Sequence, residues 1–194
     1  MKKIELIAAA ITAIGILMML LLMPGGSMIL GISMTALAIL YYPIGFFYFN
    51  SIPMREIFKK ESYKGITLVR GLGAFGGGMI FSILAIGSLF KLLQLPGSGL
   101  MLTVGLTAGV FYLIIILIKY FSQGGSRFLK NMIVRSTIVI ALSGVLMATP
   151  GTTLVKVFFR DNPEYIKAYE KAAKNPENRQ LQLKAEEARQ KDND

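Results

Sequence analysis

Cysteine and histidine are both absent from the 194-residue chain. Their absence removes disulfides, thiolate nucleophiles, Cys/His zinc sites and a histidine pH switch. Acid is scarce too, with no Asp or Glu between Glu61 and Asp161. Without these groups no nucleophile–base pair or metal cluster can be assembled, so the sequence offers no catalytic residue, no metal ligands and no cofactor site, and reads as a non-enzyme. Charge as a whole is sparse: 16% of residues carry it, against roughly a quarter in soluble domains. With 54% hydrophobic residues and a mean hydropathy of +0.57, the composition points to a lipid environment.

The charge that is present is unevenly placed. Up to Val155 there are 12 Lys and Arg against Glu5, Glu56 and Glu61, whereas the remainder holds 9 against 8. A net charge of +10 could suggest nucleic acid, but these cations fall in short stretches between apolar runs rather than on one soluble face. Membrane topology explains them better, and the partner they imply is the lipid bilayer, with other membrane proteins or a second copy of the chain left open.

About 20 apolar residues cross a bilayer core as a helix, because every backbone polar group must be satisfied within the segment. Residues 4–23, 28–49, 71–90 and 100–118 meet that length, and a fifth run, 131–150, must accommodate Arg135. Met1-Lys2-Lys3 resembles the start of a signal peptide, but the apolar run is too long and lacks an Ala-x-Ala-like cleavage site, so it reads as an uncleaved anchor. Pro24-Gly25-Gly26-Ser27 and Leu95-Pro96-Gly97-Ser98-Gly99 are uncharged, tight turns. Proline ends the preceding helix and glycine allows the reversal, making Pro24, Gly25, Pro96 and Gly97 the hairpin-turn residues.

The other connections are long and basic, marked by Arg55, Lys59, Lys60, Lys64 and Arg70, then by Lys119, Arg127, Lys130 and Arg135. The positive-inside rule places both, with Lys2 and Lys3, in the cytoplasm of a bacterial inner membrane protein. Arg135 at a helix centre would cost about 2.5–3.5 kcal/mol on insertion scales, but near a cytoplasmic end it can snorkel. In the first basic loop Met54, Ile57 and Phe58 recur at helical spacing opposite Arg55, Lys59 and Lys60, which predicts a short interfacial helix. Such a surface favours anionic headgroups, though an ordinary topogenic loop accounts for the same residues.

A shift of 72 residues superposes Ala13-Ile14-Gly15, Leu17, Leu20-Leu21 and Pro24-Gly25 on Ala85-Ile86-Gly87, Leu89, Leu92-Leu93 and Pro96-Gly97. Leu30, Thr35 and Ala36 likewise meet Leu102, Thr107 and Ala108. The repeating unit is a helix, a Pro-Gly turn and a helix, duplicated in parallel, unlike the inverted repeats of many transporters. Met147-Ala148-Thr149-Pro150-Gly151 reads as a third, truncated unit.

The stretch Gly87-Ser88-Leu89-Phe90-Lys91-Leu92-Leu93-Gln94-Leu95-Pro96-Gly97-Ser98-Gly99-Leu100-Met101-Leu102 resembles the helical hairpin of bacterial gliding-motility GldL-type membrane proteins and their uncharacterised relatives. Those proteins typically read G-A-L-F-K-I-x-H-W-P-G-A-x-x-M-L. Residues 40–47 resemble the end of the relatives' second helix, and the likeness covers roughly residues 1–120. It implies an ion-conducting or motor-associated subunit, in which a membrane lysine and a glutamate of the next helix use the proton gradient. Lys91 matches the lysine, whereas the family's Thr-Glu appears here as Thr107-Ala108 and its His-Trp as Gln94-Leu95.

Lys91 is the only charge between Arg70 and Lys119, and snorkelling to headgroups accounts for it better than an ion pathway. Gly71-x-Gly73-x-x-Gly76 matches a dinucleotide fingerprint in spacing but opens a membrane helix instead of following a strand. Gly73 with Gly77, and Gly105 with Gly109, fit small-residue helix packing. Pro43 should kink the second helix, with the surrounding aromatics forming an interfacial belt. In the tail, Asn162-Pro163-Glu164 and Asn175-Pro176-Glu177 each predict a helix start. The apolar stripes of Tyr165, Tyr169 and Ala172, and of Leu181, Ala185 and Ala188, leave docking and solvation both open.

The fold expected is an all-α integral membrane protein of four or five transmembrane helices, with two repeated hairpins and a helical C-terminal tail. Its divisions are a first hairpin (1–50), a basic cytoplasmic loop (51–66), a second hairpin (67–121), a basic loop with the fifth helix (122–152) and the tail (153–194). The role this leads to is a structural or assembly component.

Overall fold

The computed structural model describes residues 2–122 and 124–190; Met1, Gln123 of the second basic loop and residues 191–194 of the tail lie outside the described residues. Among the described residues the chain is helical with no strand. The α-helices are α1 (Lys2–Leu20), α2 (Gly26–Tyr41), α3 (Gly45–Phe49), α4 (Leu68–Leu92), α5 (Ser98–Ser122), α6 (Arg127–Ala148), α7 (Gly151–Phe158), α8 (Pro163–Lys174) and α9 (Arg179–Gln190). By length and composition, α1, α4, α5 and α6 are sufficient to cross a membrane.

The two tight turns share one geometry. After α1 the Met23 amide donates to the Met18 carbonyl at 2.9 Å and that of Leu22 to Met19 at 3.2 Å. After α4, Leu95 donates to Phe90 at 2.7 Å and Gln94 to Lys91 at 3.3 Å. These bonds satisfy the last helical carbonyls in a Schellman motif. The left-handed residue of the motif is Leu22 or Gln94, each with φ 55°, and Gly25 and Gly97 then turn the chain into the next helix with φ 83° and 86°. Inside each hairpin a glycine lets the helices touch: a Cβ on Gly15 would stand 2.8 Å from the Leu30 amide nitrogen, and one on Gly87 3.2 Å from that of Leu102.

The second apolar run is not one helix. Pro43 has no amide to donate, and the chain turns through Tyr42, Pro43 and Ile44 before α3. The 16 residues of α2 extend about 24 Å, short of a hydrocarbon core of about 30 Å, and the Pro43 break and α3 carry the chain on to the basic end of the bundle. The break folds α3 against α4, where Gly78 admits the Tyr41 backbone: a Cβ there would lie 2.3 Å from the Tyr41 carbonyl oxygen.

The interfacial helix expected in the first basic loop does not form. Two 3₁₀ turns, Met54–Glu56 and Lys60–Tyr63, occupy the segment, and Phe58 is 98% exposed. Pro53 starts the first turn and the amides donate three residues back, as from Glu56 to Pro53 at 2.9 Å. So short a stretch does not offset the cost of nucleating an α-helix.

Helix α4 is the hub, packing against α2, α3, α5 and α6, while α1 rests mainly on α2. One apolar cluster, with Tyr41, Tyr48, Phe81 and Met132, fills the end of the bundle near the basic loops. Another, with Met19, Leu30, Leu89 and Leu92, fills the end with the tight turns, and α7 adds Leu154 and Phe158 to it. The outer faces of α1, α5 and α6 expose Ile7, Leu17, Phe111, Ile118, Leu142 and Val145, the apolar surface that lipid would cover.

Ser126 caps α6 by accepting from the Leu129 amide at 3.2 Å, and the helix runs from the basic end to the turn end. The paired bonds of the two tight turns do not recur at Pro150-Gly151, where the Thr149 amide donates to the Val145 carbonyl at 3.1 Å. Pro150 instead starts α7, its carbonyl accepting from Thr153 and Leu154. In the tail the Asn162 side chain caps α8, accepting from the Tyr165 amide at 2.8 Å. The next helix begins later than Asn175-Pro176-Glu177 suggests. Asn175 closes α8 by donating to the Lys171 carbonyl, and Asn178 caps α9 through the amides of Gln180 and Leu181.

Candidate functional site

Glu5 stands in the first turn of α1, where a carboxylate suits the helix dipole. Tyr41 ends α2, Tyr48 lies on α3, and Arg135 sits two turns into α6. The Pro43 break returns Tyr48 beside Tyr41, and the bundle brings Arg135 to the same carboxylate. Arg135 donates from Nε to Glu5 Oε1 at 3.3 Å and from Nη2 to Oε2 at 3.1 Å. Tyr41 donates to Oε1 at 2.8 Å and Tyr48 to Oε2. Arg135 Nη2 also donates to the Tyr48 hydroxyl at 2.8 Å, and the guanidinium lies 5.0 Å from the Tyr48 ring centre and 5.7 Å from that of Phe49.

Both charged side chains are about four-fifths buried, at 19% and 20% exposure. Each carboxylate oxygen receives two donors. The arrangement is a clasp tying the first helix to the last long helix of the bundle. Arg135 therefore does not depend on snorkelling alone: its charge is matched inside the protein.

Beside Arg135 opens a cavity of about 310 Å³, walled by Tyr48, Phe49, Ile52, Phe128 and Met132, with Ser51, Pro53 and Asn131 completing it. Arg70 stacks on Phe128 with its guanidinium 4.9 Å from the ring centre, and its Nε is buried without an acceptor among the described residues. The Oδ1 of Asn50 and the hydroxyl of Ser136 are likewise buried and unpartnered.

No family model, curated protein or solved structure matches the chain. Among the described residues no group of three or more His, Cys, Asp or Glu could hold a metal ion.

Lys91 lies at the other end of the bundle, half-buried in the last turn of α4, and does not join the clasp. Its carbonyl accepts from Gln94 Nε2 at 2.7 Å, and Gln94 Oε1 in turn accepts from the Tyr169 hydroxyl of the tail at 2.7 Å. Of the four glycines expected to pack helices, three meet neighbours within this chain. A Cβ on Gly77 would come within 2.7 Å of the Tyr112 hydroxyl, one on Gly105 within 2.7 Å of Leu84, and one on Gly109 within 3.1 Å of Ile140. Gly73 faces open space, but its carbonyl accepts from Tyr112 at 2.9 Å. With Gly71 and Gly76 it lies inside α4, so these glycines form no phosphate-binding loop.

Further polar links cross the helices. Thr12 donates to Ser33 at 2.9 Å between α1 and α2, and the hydroxyls of Ser88 and Ser143 are 3.2 Å apart between α4 and α6. In the tail, Val155, Tyr165, Ala172, Ala185 and Ala188 form a small core, consuming both predicted stripes. Asn162 donates to the Ala188 carbonyl, and Lys156 pairs with Glu170 at 2.7 Å. Burial pushes the Tyr165 phenol up to about 12.

Proposed function

We propose that this chain is a nonenzymatic multi-pass protein of the bacterial inner membrane, serving as a structural or assembly component. The clasp carries the proposal, because the one carboxylate within the long apolar helices is saturated by Arg135, Tyr41 and Tyr48 and is unsuited to relay a proton. In this proposal the N-terminus and the basic loops face the cytoplasm, while the tight turns and the tail lie on the other side. The hairpins are duplicated copies. Support comes from turn hydrogen bonds and glycine contacts that recur 72 residues apart, as Leu22 to Met19 and Gln94 to Lys91 do. The tail's partner would be another membrane protein or a second copy of the chain.

The GldL-type resemblance supports distant kinship in the hairpins, and with it a competing role as an ion-conducting or motor-associated subunit. That role would fall to Lys91. Reconstitution in vesicles with a proton-sensitive dye separates the two. The expected outcome is no flux above protein-free vesicles, for the wild type and for Lys91→Met alike. A specific flux abolished by Lys91→Met would establish the motor reading, and co-purification of a partner from native membranes would support assembly.

A further inference from the structure

We propose that the cavity beside Arg135 binds a phosphate-ester anion, and that the headgroup of an anionic phospholipid is the source its surroundings favour. At about 310 Å³ the space is at the small end of ligand pockets, which run about 300–1,000 Å³, and suits a headgroup. Arg135 spends Nε and Nη2 on Glu5 and Tyr48, while Nη1 makes no hydrogen bond among the described residues. Arg70 is outside the cavity lining and backs its Phe128 wall, with its guanidinium 4.9 Å from that ring centre, so it adds positive charge behind the wall. Guanidinium groups with free N–H donors are suited to phosphate oxygens.

Among the described residues no acid lines the cavity, and Glu5 is outside its wall. Ser51 and Asn131 add neutral polar groups, whereas Ile52, Met132 and the aromatic rings would meet the glycerol and first methylenes of a lipid. A free phosphate would leave that apolar wall uncovered. The cavity also lies at the end of the bundle bearing Lys119, Arg127 and Lys130, where anionic lipid would accumulate. This inference does not rest on the assembly role.

The test uses the full chain in neutral detergent. Thermal unfolding and native mass spectrometry are followed with phosphatidylglycerol, phosphatidylcholine, glycerol 3-phosphate or inorganic phosphate added. Phosphatidylglycerol should raise the unfolding midpoint and stay bound in preference to phosphatidylcholine. Asn131→Leu and Asn131→Asp, on the cavity wall and outside the clasp, should each weaken that preference about tenfold. Binding of glycerol 3-phosphate or inorganic phosphate without the lipid effect, and sensitive to the same substitutions, would keep the phosphate site and make its occupant soluble. Equal response to the two lipids with no soluble phosphate bound, or binding unmoved by either substitution, would overturn the proposal.

Discussion

Four donors converge on a single carboxylate at Glu5, and the energetic consequence follows from desolvation. Removing one member of a buried ion pair leaves the other without compensation, at a cost of about 3–5 kcal/mol. Arg135→Leu or Glu5→Gln should therefore lower the unfolding midpoint in detergent sharply. The double change Glu5→Leu with Arg135→Leu should cost clearly less than the sum of the corresponding single changes, because neither charge is then stranded. Additive losses would mean that the pair is not coupled. At Gly78 the neighbour is backbone, 2.3 Å from where a Cβ would stand, whereas at Gly73 nothing lies within 4 Å. Gly78→Ala should thus cost about 1–3 kcal/mol, while Gly73→Ala should be neutral or slightly stabilising. Equal midpoints for the two variants would contradict this packing.

Among the elements, those governed by adjacent residues were the most legible in the sequence. Pro24-Gly25 and Pro96-Gly97 mark the turns because helix termination is local, and Asn162-Pro163 marks α8 for the same reason. The motif's left-handed residues, Leu22 and Gln94, escaped notice because neither residue type advertises a positive φ. The start of α9 was displaced because Asn175 and Asn178 are both competent caps, and packing chose between them. The clasp was the least legible feature. Its ion pair joins residues 130 apart, and Tyr48 reaches it only through the geometry of the Pro43 break. The signal for the pair in the sequence is charge scarcity, since Glu5 and Arg135 are opposite charges that both fall in apolar runs. The tail makes its own prediction. With the folded Tyr165 phenol at about 12 and an unfolded value near 10, its contribution to tail packing is fully present below pH 10 and is lost as pH rises through about 12. Alkaline loss of α8–α9 helicity should be reduced in Tyr165→Phe, as read by circular dichroism. An unchanged alkaline transition would assign it to other groups.

Over the whole molecule, α6 carries the chain from the basic end to the turn end, where Tyr169 meets Gln94 and α7 joins Met19 and Leu89. The N-terminus and the tail thus lie at opposite ends of the bundle. The topology can be tested by single-cysteine labelling, which is clean because the chain has no native cysteine. Positions 27 and 99, exposed in the two tight turns, should react from outside an intact cell, and positions 59 and 130 only after the cytoplasm is opened. A reporter active only in the cytoplasm, fused after Asp194, should be silent; strong activity would place the tail inside and mean that α6 does not cross.

Because Glu5 and Arg135 are 130 residues apart, the clasp also imposes an order on biogenesis. Ribosomes add about 5–20 residues per second, so the carboxylate of α1 enters the bilayer roughly ten seconds before its guanidinium partner has been made. During that interval Tyr41 and Tyr48 are the only clasp partners already synthesised. A chain released before α6 would keep an acid without its cationic partner among its first helices.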